Sequence, residues 1–240
     1  MYRAKKPFYV IGQFFFLIGI FAGALLSAMF IWANLELYLY GFDSLGGKPI
    51  RTLRCPLILT KSETGKVRVS FTNNLDQAMQ FSLRADFSTS AGIDSTRSKV
   101  SIDIGNTQQY EWEVSSENVT RRIFIFAKVF AYASYKMPFR EASCGIWVLD
   151  VPYFTGQQVY ILLLSISLLG IVIGSVTYDL SGPVIRDRQM NVHRAMRFWA
   201  FLVLLALFAS LQAWFVFGII LLIAIVLLGV IFGYYLLAQL

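Results

Sequence analysis

Residues 198–240 run for 43 positions without one charged side chain, and no other feature constrains the fold so strongly. As one straight helix this stretch would span roughly 65 Å, about twice the hydrocarbon thickness of a bilayer. It must fold back. The turn is placed by the preference of Trp and Tyr for the headgroup level. Arg197, Phe198 and Trp199 mark one interface, Gln212, Ala213, Trp214 and Gly218 the other, and Tyr234 and Tyr235 the return. A tight hairpin of two helices, residues 198–215 and 217–238, is predicted.

Two further apolar blocks, residues 8–34 and 158–178, are each long enough for one crossing. Residues 10–34 carry no charge. The first block is about twice the 7 to 15 residues of a signal-peptide core, and Trp32, Asn34 and Glu36 make a poor cleavage site, so a retained helix is expected. Four transmembrane helices result. A chain that is 57% hydrophobic and only 15% charged, with mean hydropathy +0.60, is on this reading an integral membrane protein of a plasma or inner membrane.

Orientation follows from Lys and Arg in the short flanks. Arg3, Lys5 and Lys6 lie in residues 1–7, and Arg186, Arg188, Arg194 and Arg197 lie in the loop of residues 179–197. Both segments, and with four crossings both termini, are expected to be cytoplasmic. Those seven cations, less Asp179 and Asp187, together with the surplus of two in residues 35–156 (14 basic, 12 acidic), make up the net charge of +7. The basic pI of 9.5 is therefore a topology signal. Nucleic-acid binding is not expected, because no basic stripe interleaved with stacking aromatics is present.

Residues 35–157 then form one extracytoplasmic domain, long enough for its own core. Its pattern changes to alternation. Val67, Val69 and Phe71 alternate with Arg68, Ser70 and Thr72; Phe81, Leu83, Ala85 and Phe87 alternate with polar neighbours. The same device recurs at Val100 to Ile104, Tyr110 to Val114, Ile123 to Val129 and Ile146 to Val148. Turn clusters separate these runs, among them residues 61–65, 73–76, 88–98, 105–107 and 115–118. Period-two runs at this spacing predict half-buried strands in an antiparallel β-sandwich.

The run from Val67 through Asn73, Asn74 and Asp76, followed by Phe81 to Ala85, resembles the strand, turn and strand of immunoglobulin-like bacterial surface modules of the CARDB type. The resemblance covers about 30 residues and implies a binding or spacing module with no inherent chemistry. The general layout is similar to that of claudin-like auxiliary proteins in architecture alone, since their Trp and paired-Cys loop signature is absent.

Cys55 and Cys144 both fall in this domain, and an even count on the oxidising side reads as a disulfide. Two cysteines and one distant histidine cannot supply tetrahedral zinc ligands, so no metal is expected. Asn118, Val119 and Thr120 fit a glycosylation sequon on the correct side of the membrane. The lone His193 sits among Asn191, Arg194 and Arg197 and is expected to be solvated or headgroup-facing. No catalytic constellation and no cofactor motif are found, and the chain is expected not to be an enzyme. The apolar helices carry no ionisable midplane group, which disfavours transport.

Small residues recur every four positions: Gly19, Gly23 and Ser27 in the first helix, Gly170 and Gly174 in the second, Gly229 and Gly233 in the fourth. Such stripes let helices approach closely, and at least one is expected to face a different polypeptide. Three functions follow. The leading expectation is an accessory or scaffold subunit of a larger membrane complex, with other integral membrane subunits and the bilayer as partners. Second is a receptor or adhesion protein using aromatics such as Tyr132, Tyr135 or Trp147. Third is an enzyme or transporter with an unrecognised site.

Overall fold

The structure is a computed structural model and describes residues 6–42, 46–132, 138–180, 190–212 and 214–237. The chain divides into two compact units, Trp32–Val159 and Met1–Ile31 with Tyr160–Leu240.

The first unit is rich in sheet. Strands β1 (Lys48–Pro49), β2 (Ile58–Thr60), β3 (Gly65–Thr72), β4 (Met79–Thr89), β5 (Gly92–Ile102), β6 (Thr107–Val114), β7 (Phe124–Tyr132) and β8 (Arg140–Leu149) form two sheets. One has the order β1-β8-β7-β4-β5 with β2 also on β8; the other is the antiparallel pair β3-β6. Val67, Val69 and Phe71 from β3 share one core with Leu83, Ala85 and Phe87 from β4 and Ile125, Ala127 and Val129 from β7. Alternation in β3 is complete, with its apolar residues buried and Lys66, Arg68 and Thr72 exposed.

Three features depart from the sequence expectation. Strand β5 fills most of the expected turn at residues 88–98. It is an edge strand whose first eight residues show no buried position, so Ser, Thr and Asp leave no period-two signal. The sheet is mixed, because β1 and β2 pair parallel to β8. Strand β7 is buried on both faces: Phe124 and Phe126 turn away from the core and pack with Ala33, Leu37 and Phe42. Helix α1 (Lys6–Leu39) therefore runs past the expected end at residue 34 and lays its last turns on the sheet. Gly145 on β8 permits this, because a Cβ there would overlap the Ala33 carbonyl.

Cys55 and Cys144 are joined in a disulfide with a Cα–Cα distance of 6.6 Å across 89 residues. The bridge packs against the core. Cys144 sits within β8, opposite Ala127 of β7.

The second unit contains most of α1, and α2 (Gly156–Asp179), α3 (Met190–Leu211) and α4 (Phe215–Leu237). Three helical segments, Phe8–Leu39, Gly156–Asp179 and His193–Leu211, are long and apolar enough to cross a membrane. Phe14, Phe21, Val172 and Phe201 are exposed on these segments, and Val226 on α4, as lipid-facing residues would be. Helix α3 begins at Met190 rather than near residue 198, so His193, Arg194 and Arg197 lie on helix and not in a loop. Helix α3 ends at Leu211 and α4 begins at Phe215, each earlier than the expected 215 and 217. Residues 181–189, with Arg186 and Arg188, lie outside the described residues.

Candidate functional site

The glycine stripes of α1 and α2 meet each other. A Cβ on Gly19 would lie 2.6 Å from Ile171 N and 2.8 Å from Ser167 O, and one on Gly170 would lie 2.8 Å from Gly19 Cα and Phe15 O. Gly174 abuts Phe16, with 2.5 Å from such a Cβ to its backbone nitrogen. Gly23 sits where α2 and α3 converge, 2.5 Å from both Ser167 Oγ and Val203 Cγ1 by the same construction. Ser27 is fully buried. In these two helices the small-residue surfaces pack within the chain, which leaves the stripe of α4 for the expected contact with a different polypeptide. Gly229 lies against Trp199, 3.2 Å from a constructed Cβ to Cζ2. Gly233 lies in α4, and its surroundings fall outside the described residues.

Two aromatic and histidine expectations change as well. Trp199 points inward and is 6% exposed, donating its indole N–H to the Ile225 carbonyl at 3.1 Å. A buried indole needs such a partner, and the internal one displaces the headgroup role. His193 is half-buried rather than solvated, with Nε2 3.5 Å from Asp179 Oδ1 and its ring stacked on Tyr178 at 5.4 Å.

In the sheet unit, Tyr132 and Trp147 are not free ligand platforms. Tyr132 packs on Phe130 and Phe139, and Trp147 meets Phe124 edge-on at 4.9 Å. Tyr132 lies on the outer face of β7 and Trp147 on the outer face of β8, and both are partly buried there. Tyr135 lies outside the described residues. The same face buries the Lys128–Glu141 ion pair at 3.3 Å. The side-chain amide of Asn118 donates to the Ser88 carbonyl at 3.4 Å, and its oxygen accepts from Ser115 N–H at 3.0 Å. A glycan on Asn118 would have to displace the first of these bonds.

Sequence reasoning did not single out a half-open cleft of about 540 Å³ among the described residues, at one end of the two sheets. Its walls come from β1 and the stretch after it, the end of β3, the turn between β3 and β4, and the start of β8. Each wall has a local cause. The Lys48 and Ile50 N–H groups donate to the Phe139 and Glu141 carbonyls at 2.9 Å, which fixes β1 beside β8. Thr52 Oγ1 donates to the Ser70 carbonyl at 2.6 Å and ties the next stretch to β3. Fully buried Asn73 shapes the turn: its amide nitrogen donates to the Gln77 and Ile102 carbonyls, and its oxygen accepts from Leu75 N–H at 3.0 Å. An Asn side chain that imitates backbone in this way holds a tight turn, and here it sets Asn74 and Leu75 on the cleft wall.

Lys48, Arg51 and Arg140 line this cleft and are exposed, and among the described residues no acid lines it. Lys48 and Arg140 are register partners in the parallel β1-β8 pairing. The pairing is invisible in the sequence because those residues are far apart in the chain. Elsewhere on the unit, several cations are paired with carboxylates. Lys66 and Arg68 meet Glu111 at 3.3 and 3.0 Å, Arg84 meets Asp86 at 2.6 Å, Lys61 meets Asp150 at 2.5 Å, and Arg121 meets Glu36. A hydrogen bond from Gln109, and then Lys66 and Arg68, hold the Glu111 carboxyl below its ordinary value against the opposing effect of burial. Asp86 raises Arg84, and burial raises Tyr110.

No family model matches this chain, and no curated protein matches it. Solved structures align with part of the chain at low similarity. The β-glucuronidase 2 of Bacteroides uniformis aligns at 10% identity and a TM-score of 0.29, over 39% of this chain and 12% of that one. The β-glucosidase of Listeria innocua aligns at 17% identity and 0.28, over 40% and 15%. The alkylpurine DNA glycosylase AlkC of Pseudomonas fluorescens aligns at 11% and 0.31, over 40% and 29%. The chain spans less than a third of the length of any of these three. They correct one expectation: enzymes are among the structural neighbours, so the statement that this chain is not an enzyme does not stand. At these TM-scores the likeness assigns this chain no activity or substrate.

Proposed function

We propose that this chain is a membrane-anchored binding protein. Four transmembrane helices, α4 being the fourth, form the anchor with both termini inside, and an immunoglobulin-like β-sandwich outside presents its cleft to a small ligand. The cleft is the observation that carries this reading. Its volume of about 540 Å³ lies in the range of small-molecule sites, roughly 300–1,000 Å³, and its walls are fixed by backbone and side-chain hydrogen bonds. Support for the orientation comes from the basic flanks. Tyr153 (98% exposed) and Phe154, just before α2, suit the aromatic belt of the outer interface.

The alternative of an accessory subunit rested on small-residue stripes aimed at another polypeptide. With the stripes of α1 and α2 packed on each other, the helices form their own bundle, and preference moves to the binding reading. Photo-crosslinking tests the choice. A benzoylphenylalanine at Leu75, on the cleft wall and 38% exposed, is placed in the full-length protein in its membrane and irradiated. The binding reading expects a mass increase of a few hundred daltons at that residue. A stoichiometric protein adduct, or no adduct, overturns it.

A further inference from the structure

We infer that the cleft binds a compact anion, a molecule carrying a phosphate, sulfate or carboxylate group on a small apolar body, through Lys48, Arg51 and Arg140. This rests on the reading of the cleft as a ligand site and names the class of ligand it takes. Three observations carry it. First, the three cations line one concavity, and among the described residues no carboxylate meets them, whereas Lys66, Arg68 and Arg84 on the same unit are paired. A cleft lined by one sign of charge over low-dielectric walls focuses its field and concentrates the opposite charge.

Second, Lys48 and Arg140 are direct register neighbours on β1 and β8. Like charges facing each other across strands are destabilising, and an anion between them removes that repulsion. Arginine adds a planar fork that matches two oxygens of a phosphate or carboxylate. Third, the remaining lining suits the rest of such a molecule. Ser70, Thr72 and Asn74 offer neutral polar groups beside the cations, while Pro49, Leu75 and Pro138 form apolar walls and Met79 is also at the lining. A bare phosphate ion would occupy only a small part of the volume, so the geometry points to an organic anion.

The test uses the full chain in nanodiscs of neutral phosphatidylcholine, with methionine methyl groups labelled with carbon-13. Met79 lies at the cleft, and its methyl resonance reports occupancy. Phenyl phosphate is the probe and phenol its uncharged counterpart. Phenyl phosphate should shift the Met79 signal saturably, phenol should not, and added salt should weaken the effect. Arg140→Gln should raise the dissociation constant about tenfold or more, the loss of one charge-assisted contact, while Lys99→Gln on exposed β5 should leave it unchanged. An equal shift with phenol overturns the anion class but leaves the binding reading in place. No Met79 shift with any probe, lipid included, overturns both. Nanodiscs containing phosphatidylglycerol separate the sources. A Met79 shift from that lipid alone keeps the oxyanion assignment and makes the ligand a lipid headgroup. An effect equal in Arg140→Gln and Lys99→Gln marks general surface charge and overturns the assignment.

Discussion

Replacing Gly19 by alanine adds one methyl group where α1 and α2 touch backbone to backbone. The new Cβ would lie 2.6 Å from Ile171 N and 2.8 Å from Gly170 C and Ser167 O, whereas ordinary contact begins at 3.4 Å. All three neighbours are main chain, so no side chain can swing away, and the helices must part by about 0.6 to 0.8 Å along that line. Overpacking of this kind costs about 1–3 kcal/mol. Alanine returns roughly 0.5–1 kcal/mol through its better helix propensity. The two ranges leave a net loss of up to about 2.5 kcal/mol, centred near 1 kcal/mol. Gly218→Ala is the control, since its nearest neighbour is Ile31 Cδ1 at 3.4 Å and a methyl group fits; it should be no less stable than wild type and gain up to about 1 kcal/mol. Reversible unfolding in mixed micelles measures both. Repeating it at two protein concentrations separates an internal seam, which is concentration-independent, from contact between chains. A Gly19→Ala protein as stable as wild type, or a loss that shrinks at higher concentration, would refute the internal seam.

Three further outcomes are expected. Cys144→Ser should cost the sheet unit about 2–5 kcal/mol, and intact-mass analysis after alkylation without reductant should find no reactive thiol in the wild-type chain. Glu141→Gln leaves Lys128 buried without its carboxylate and should cost about 3–5 kcal/mol, whereas replacing both residues by methionine should recover most of that loss in thermal unfolding. Because the folded-state value of Glu111 is lowered from 4.5, its contribution is present above that pH and is lost as pH falls through the lowered value. Glu111→Gln should therefore reduce the acid dependence of unfolding in that window and leave its alkaline side unchanged.

What the sequence made legible were features written in local pattern. The charge-free run at residues 198–240, the alternation of Val67, Val69 and Phe71, and the even cysteine pair each correspond to structure: two apolar helices, a half-buried strand and a disulfide. Non-local features were less legible. Strand β5 carries polar residues on an open edge and so shows no alternation. Burial on both faces of β7 depends on α1 reaching it, which one strand's sequence cannot reveal. The stripe at Gly19 and Gly170 announced close helix packing, but the identity of the partner helix is a tertiary fact. The cleft follows the same logic. Lys48 and Arg140 become neighbours only through a two-residue parallel pairing, too short to leave a sequence signature.

The central claim is that the sheet unit lies outside the membrane with its cleft open to a small ligand. Labelling of a cysteine placed at Thr72, an exposed cleft residue, tests it most directly, because Cys55 and Cys144 are bridged and do not compete. A membrane-impermeant maleimide should label Thr72→Cys on intact cells, and phenyl phosphate should slow that labelling. Labelling only after permeabilisation, or at a rate that phenyl phosphate does not change, would contradict the account.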